Sequence, residues 1–298
     1  MKRIPVVFCC LLVFSTSLFA GENKLIALTF DDGPRPYVLY GQGPAQSVGG
    51  LLDVLQKNHA PATFFYMGWR LTPKTYGDTH EFRTSTTTLD AARDVFHRGY
   101  EIADHSYSHV QFKLFQRKHG EAGVIADVDR ASDLIRQLTG HRASYVRPPD
   151  WITTPEINRR LAARGYRVLG IWSELPLAMR DVNTADYLCA GERPRKCPSP
   201  SLQEFVLQEV SQREKKGTYT HILALHELST TTAMLKSLLP ALRERGYRFV
   251  SLDEYMKNVN ARNLADGRDA NDRALQKART SASYPPSAPT AAPSPRGR

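Results

Sequence analysis

Short apolar runs alternate with amphipathic stretches along most of the chain. Seven runs have the length and the β-branched or aromatic content of buried strands: LIALTF (25–30), ATFFYM (62–67), YEIAD (100–104), SYVR (144–147), YRVLGI (166–171), HILALH (221–226) and YRFVSL (247–252). Between them lie segments with helical spacing, among them TLDAARDVFHRG, TPEINRRLAARG and TAMLKSLLPALRERG. Several end in Gly followed by Tyr, the pattern of a helix that stops at a left-handed residue and restarts as a strand. Strand and helix alternate without hairpin turns, which predicts a parallel sheet. The spacing predicts a single-domain α/β fold, a distorted (β/α) barrel of about seven parallel strands. On pattern alone, a doubly wound open sheet is the alternative.

Three stretches break the rhythm: 36–46, 71–88 and 178–200. Each follows a strand and is rich in Gly, Pro, Thr or Ser. Loops at that end of a barrel build active sites, so these are expected to wall a binding site. The ends of the chain differ from its middle. MKRIPVVFCCLLVFSTSLFA has a basic tip, an apolar stretch and small residues, the layout of a signal peptide covering 1–20. The apolar stretch is too short for a confident membrane span. An uncleaved anchor is the other reading. A folded domain is expected over 21–260. The extension 261–298 ends in SASYPPSAPTAAPSPRGR, a composition that cannot bury a core and predicts a disordered tail.

Composition narrows the picture. Hydrophobic residues make up 41% and charged residues 23%, enough for a real core. Lys and Arg number 40 against 30 Asp and Glu, a net +10, which becomes +8 without Lys2 and Arg3. That charge suits an anionic envelope or polymer. No basic run is interleaved with aromatics, so nucleic acid is not the expected partner. Outside the leader the cysteines are Cys189 and Cys197, in LCAGERPRKCPS. An oxidising compartment favours a disulfide between them. A zinc site there would need two more ligands close by.

The polar residues at the strand ends carry the chemistry. Asp31 and Asp32 follow the first strand; His105 and His109 follow the third, in DHSYSH. Arg147 ends the fourth, Trp172, Ser173 and Glu174 follow the fifth, and His226 ends the sixth. In a parallel barrel all of these meet at one rim. Two histidines four apart can aim at one point, and with one Asp they form a ligand set with open positions. Such a set suits one divalent metal, zinc first, with cobalt, manganese or ferrous iron as options. Neighbouring residues of an extended chain point to different sides. One carboxylate can therefore bind the metal while the other takes a proton from a water. A ferrous oxygenase shares the ligand types, but its usual framework is a β-barrel.

TFDDGP (29–34), HSYSH (105–109), RPP (147–149) and LALH (223–226) resemble, in this order, motifs of the polysaccharide deacetylases, also called the NodB-homology or carbohydrate esterase family 4 domain. The resemblance spans roughly residues 24–258. It implies a distorted (β/α) barrel that removes N-acetyl, or sometimes O-acetyl, groups from polysaccharides with a divalent metal. It implies Asp31 as catalytic base, and Asp32, His105 and His109 as metal ligands. Arg147 then orients the base, and His226 is the general acid. Pro149, Asp150, Trp151, Trp172 and Leu225 fall at substrate-contacting motif positions, with a backbone N–H near 149–151 facing the oxyanion.

Two motifs depart from the pattern. The third usually continues RPPYG or RPPWG and here reads RPPDWI. The fourth usually carries Asp residues shortly after W-S and ends in Asp-Trp, whereas IWSELPLAMRDV has none at those spacings. Glu174 or Asp181 is the expected substitute that tunes His226. The resulting expectation is an exported, periplasmic or secreted, metal-dependent hydrolase of N-acetylated glycans: peptidoglycan, chitin-like chains or poly-N-acetylglucosamine. No membrane span is expected after signal cleavage. The alternatives are an O-acetyl ester hydrolase on xylan-like chains and a catalytically degenerate glycan-binding protein.

Overall fold

Each of the seven apolar runs holds a strand in the computed structural model, which describes residues 24–75, 82–172, 175–189, 197–198 and 201–265. β1 (Leu25–Gly33) leads through α1 (Pro36–Leu39) and α2 (Leu51–Lys57) to β2 (Ala62–Tyr66). Then come α3 (Thr88–His97), β3 (Glu101–Asp104), α4 (Phe112–Thr139), β4 (Tyr145–Val146), α5 (Pro155–Ala163) and β5 (Arg167–Val168). An eighth strand, β6 (Asp181–Asn183), lies inside the stretch expected to be loop. The chain then runs through α6 (Leu202–Glu214), β7 (Thr220–His226), α7 (Ser229–Glu244), β8 (Arg248–Val250) and α8 (Leu252–Ala265).

All strand pairs are parallel, in the order β5-β4-β3-β2-β1-β7-β6. β8 pairs with the first residues of β1, Leu25 to Ala27, below the point where β2 begins. One bridge, Gly170 to Arg180, joins the two ends of the sheet, with Asp181 N–H donating to Gly170 O. The sheet therefore curls into a distorted barrel rather than the open doubly wound sheet that pattern alone allowed.

The central strands β1, β2 and β7 are buried on both faces, and residue parity decides which layer each side chain joins. Ile26, Leu28, Phe30, Phe64, Leu223 and Leu225 pack outward against the helices. Leu25, Ala27, Phe65, Tyr145 and Ile222 point inward and pack with Tyr255, Met256 and Val259 of α8. Asp31, Arg147 and His226 share the inward parity. Helix ends follow the chain's punctuation. Thr87, Thr154 and Ser201 accept N-cap hydrogen bonds from Asp90, Ile157 and Glu204. Gly99, Gly165 and Gly246 take φ of +85°, +90° and +84°, and the tyrosine after each is buried. Cys189 and Cys197 are disulfide-bonded. Among the described residues no helix is long and apolar enough to cross a membrane.

Candidate active site

β1 and β2 lose register between Asp31 and Gly33, so Asp32 is the extra residue of a bulge, with φ +71°. That bulge separates the two acids more than strand alternation does, because both line the same cavity. Gly33 is required at this turn. A Cβ there would lie 2.1 Å from Glu227 Oε1 and 2.5 Å from the Tyr66 ring. Glu227, fully buried and pushed up to about 7 by that burial, accepts the Arg35 N–H at 2.6 Å and pins the loop.

Asp32 faces the histidine loop. Its Oδ1 lies 3.5 Å from His105 Nε2 and 2.9 Å from His109 Nε2, and the three ligand atoms fall within 4.8 Å of one another. This buried oxygen has no hydrogen-bond partner despite the near imidazole nitrogens. Lone pairs that converge without bonding one another fit a cation between them. His105 Nδ1 lies 2.7 Å from Arg147 O, which fixes the tautomer with its proton on Nδ1 and leaves Nε2 free to ligate. Burial alone would raise Asp32, yet the two imidazoles and His226 hold it well below the usual carboxylate range. Ser106 Oγ accepts the His109 N–H, and Asp127 Oδ2 accepts both N–H and O–H of Ser108.

Asp31 is held differently. Arg147 Nη1 donates to its Oδ1 at 2.6 Å, while Nε and Nη2 of the same guanidinium donate to Asp181 at 2.9 and 3.0 Å. Arg147 also lies 4.3 Å above the Phe65 ring, and Trp151 Nε1 donates to Asp181 Oδ2. All three nitrogens of this 1% exposed cation thereby donate to a carboxylate, two of them to Asp181 and one to Asp31. His226 is the register partner of Asp31 across β1 and β7. Its Nδ1 lies 2.8 Å from Asp186 Oδ1, and Asp186 Oδ2 accepts the His226 N–H and the Thr231 hydroxyl. Burial works against the imidazolium, but Asp186 outweighs it and His226 is pushed up to about 9.

The partner of His226 is therefore Asp186. It is not Asp181, which is committed to Arg147. Glu174 lies outside the described residues. Sequence reading missed Asp186 because the Asp pair was sought close after Trp172. The order Asp, then Asp-aromatic, is present further on as Asp181 and Asp186-Tyr187.

Of the substrate positions, Asp150 and Trp151 line the cavity, which has a volume of about 380 Å³. Pro149 and Leu225 are buried and do not. Leu225 follows from parity: with His226 facing in, Leu225 faces the helices. Trp172 packs over Gly170 and donates to Trp151 O instead of lining the cavity. Pro148, Ile171, Asn183 and Tyr187 line it unforeseen. Of the three irregular stretches, only 178–200 contributes described lining residues. Among the described residues, all positive-φ non-glycines except His59 lie in loops of this rim: Asp32, Ser106, His109, Asp150, Trp151 and Ala185. Backbone strain concentrates where side chains must be aimed.

Comparison with known proteins decides the family. The profile described as Polysaccharide deacetylase matches residues 20–169. The chain belongs to the polysaccharide deacetylase family. It is 25% identical over 240 residues to a chitin deacetylase of Arthroderma benhamiae, covering 80% of this chain and 53% of that protein. It is equally 25% identical to a peptidoglycan-N-acetylglucosamine deacetylase of Bacillus cereus, covering 79% and 90%. The chain thus spans about half of one relative and most of the other. A family 4 acetyl xylan esterase from Clostridium thermocellum, solved with a cobalt ion, superposes with a TM-score of 0.54 at 23% identity, covering 78% and 91%. As a polysaccharide deacetylase domain, the molecule has the fold of that family and a candidate Asp/His/His metal site at its rim.

Proposed function

We propose that the protein is an exported, metal-dependent polysaccharide N-deacetylase. It hydrolyses acetamide groups of N-acetylated glycans such as peptidoglycan, chitin-like chains or poly-N-acetylglucosamine, giving amine and acetate. One observation carries this reading: three ligating atoms, an arginine-held carboxylate and a carboxylate-held imidazole converge on one cavity. The relatives are named for the same reaction class on chitin and peptidoglycan. Export rests on the N-terminal segment, outside the described residues, and agrees with the disulfide.

Asp32, His105 and His109 would hold a divalent ion, zinc being the best match to two imidazoles and a carboxylate, and it would supply Lewis acidity toward a water and the acetyl carbonyl. Asp31 takes the proton of the attacking water as the C–O bond forms. Arg147 keeps that carboxylate aimed through the charge-assisted bond from Nη1 to Oδ1. Trp151 N–H is used on Pro148 O, which leaves the Asp150 N–H to face the developing oxyanion. His226, protonated at neutral pH, gives its Nε2 proton to the nitrogen as the C–N bond breaks. An amine leaves poorly as an anion, so an amide needs this acid more than an ester does. The charged His226 therefore favours N-acetyl over O-acetyl substrates. A degenerate binder would need neither a partnered base nor a partnered acid.

The test is acetate release from a panel of N-acetylated and O-acetylated oligosaccharides, with chelation and metal add-back. Release from N-acetylated members, lost on chelation and restored by zinc, is expected. Release from O-acetylated members alone, or binding without release by metal-replete protein, would overturn the proposal.

A further inference from the structure

The cavity gathers carboxylates on a basic chain. The chain carries net +10, yet the charged lining consists of Asp31, Asp32 and Asp150 with Arg147 and the protonated His226, which faces Asp186, and no lysine. Arg147 is consumed by Asp31 and Asp181, and Asp32 belongs with His105 and His109 to the candidate metal site. Asp150 differs from all of these. It is exposed, no lysine or arginine among the described residues pairs with it, and its side-chain partner is the neutral amide of Gln111, whose Nε2 donates to Oδ2 at 2.8 Å. Gln111 stands two residues beyond His109, so this anion is tethered to the loop that carries a metal ligand. The reacting rim thus presents one fixed, unneutralised negative charge to solvent.

The backbone favours few residues here. Asp150 has φ +52°, a conformation that Gly, Asn and Asp adopt more readily than other residues. A purely structural role would be to place an acid near the N-terminus of α4, since Gln111 precedes that helix and Phe112 N–H donates to Ile152 O. Such a role needs no position in the cavity lining.

We propose that Asp150 is a specificity-determining residue: it selects glycans that carry a free amine on a unit neighbouring the one being deacetylated. This deepens the deacetylase reading and rests on it. An amino sugar is an ammonium ion near neutral pH, and the rim carboxylate attracts it. A sugar bearing a carboxylate meets repulsion at the same place. Each turnover leaves an amine on the chain, so a unit already processed becomes the preferred neighbour for the next. Deacetylation then spreads along consecutive units instead of scattering at random. The site is open to solvent, so the preference is modest, roughly three- to tenfold, and weakens with salt.

The experiment compares kcat/KM per acetyl group on two probes: the fully acetylated hexamer of N-acetylglucosamine, and the same hexamer with about half its units already free amines. Wild-type enzyme is expected to prefer the second at low ionic strength, and the preference should fade toward unity in about 1 M salt, where the screening length is about 3 Å. Asp150→Asn tolerates the same φ and keeps an oxygen for Gln111, so it removes charge alone. Its ratio between the two probes should collapse to about one, whatever its absolute rate. A ratio in D150N equal to wild type, with both rates lowered in parallel, would mark Asp150 as structural and overturn the inference. Equal rates of wild type on both probes would overturn it while leaving the deacetylase reading intact. No acetate from either probe, with metal supplied, would overturn both.

Discussion

Two histidines lie five residues apart on β7, at opposite ends of the barrel, and their protons are governed in opposite directions. His226 at the rim meets Asp186 and is pushed up to about 9. His221 at the base is lowered to about 3, by burial first and by the Arg213 charge second. Its Nε2 partner is the neutral Tyr247 hydroxyl at 2.8 Å. Strand and residue type are shared, and burial opposes the charged form of both rings, so the difference lies chiefly in what stands opposite the ring. A carboxylate overcomes desolvation and makes an acid usable at neutral pH; a phenol does not, and leaves a packing residue. The two ends of one strand thus serve chemistry and stability separately, and variants at each end should move different observables.

The largest effects are expected at the rim, on turnover. Asp31→Asn should lower kcat by about 10²–10⁴ while leaving bound metal near one ion per chain, because Asp31 is not among the three ligating residues. His105→Ala should lose both turnover and metal. Metal content by elemental analysis, beside acetate release, separates the two. Near-normal acetate release by the Asp31 variant would remove it from the role of base.

At the base the expected effect is on stability. His221 has a folded pKa of about 3 against 6.5 unfolded, so between these values the unfolded chain binds more protons. Stability is then complete above pH 6.5 and falls as pH drops toward 3, by roughly 4–5 kcal/mol if the shift is fully expressed. His221→Gln should flatten the fall in melting temperature between pH 6.5 and 4 relative to wild type. An identical slope in the variant would mean that His221 is not the group being charged.

The same contrast explains what could be read from the chain. The ligand set was legible because HSYSH is local and TFDDGP sits at a strand end. The other seven strands were legible because each lies within an apolar run between turn signals. β6 was not: Asp181–Asn183 carries a single apolar residue, and it exists as a strand through its register against β7. The charge partners were hidden for the same reason. Asp186 reaches His226 and Asp181 reaches Arg147 because β6 and the turn after it lie at the closing edge of the barrel. No spacing within one segment encodes that. Leu225 is legible from alternation alone, which places it opposite in facing to His226 and toward the helices.

The smallest of these effects tests whether Asp186 sets the proton of His226 or only holds the ring. Asp186→Asn keeps an oxygen that can accept from Nδ1 and removes the charge. Without that charge His226 should fall from about 9 toward its ordinary 6.5 or lower, since burial then acts unopposed. At pH 7.5 the protonated fraction drops to about a tenth, and poorer alignment of the ring brings the expected loss in kcat/KM to roughly 10²-fold. The stability term has its own sign. A raised histidine pKa stabilises fully below pH 6.5, and that contribution disappears as pH rises through about 9, so the variant should lose roughly 2–3 kcal/mol at pH 6 and almost nothing at pH 10. The alkaline limb of the pH–rate profile should move down by about two units, and assay near pH 6 should recover much of the lost rate. A ring that was merely held in place would give a lower profile with its alkaline limb unmoved and no recovery in acid. That outcome would leave Asp186 a structural support and reopen the question of what keeps His226 charged.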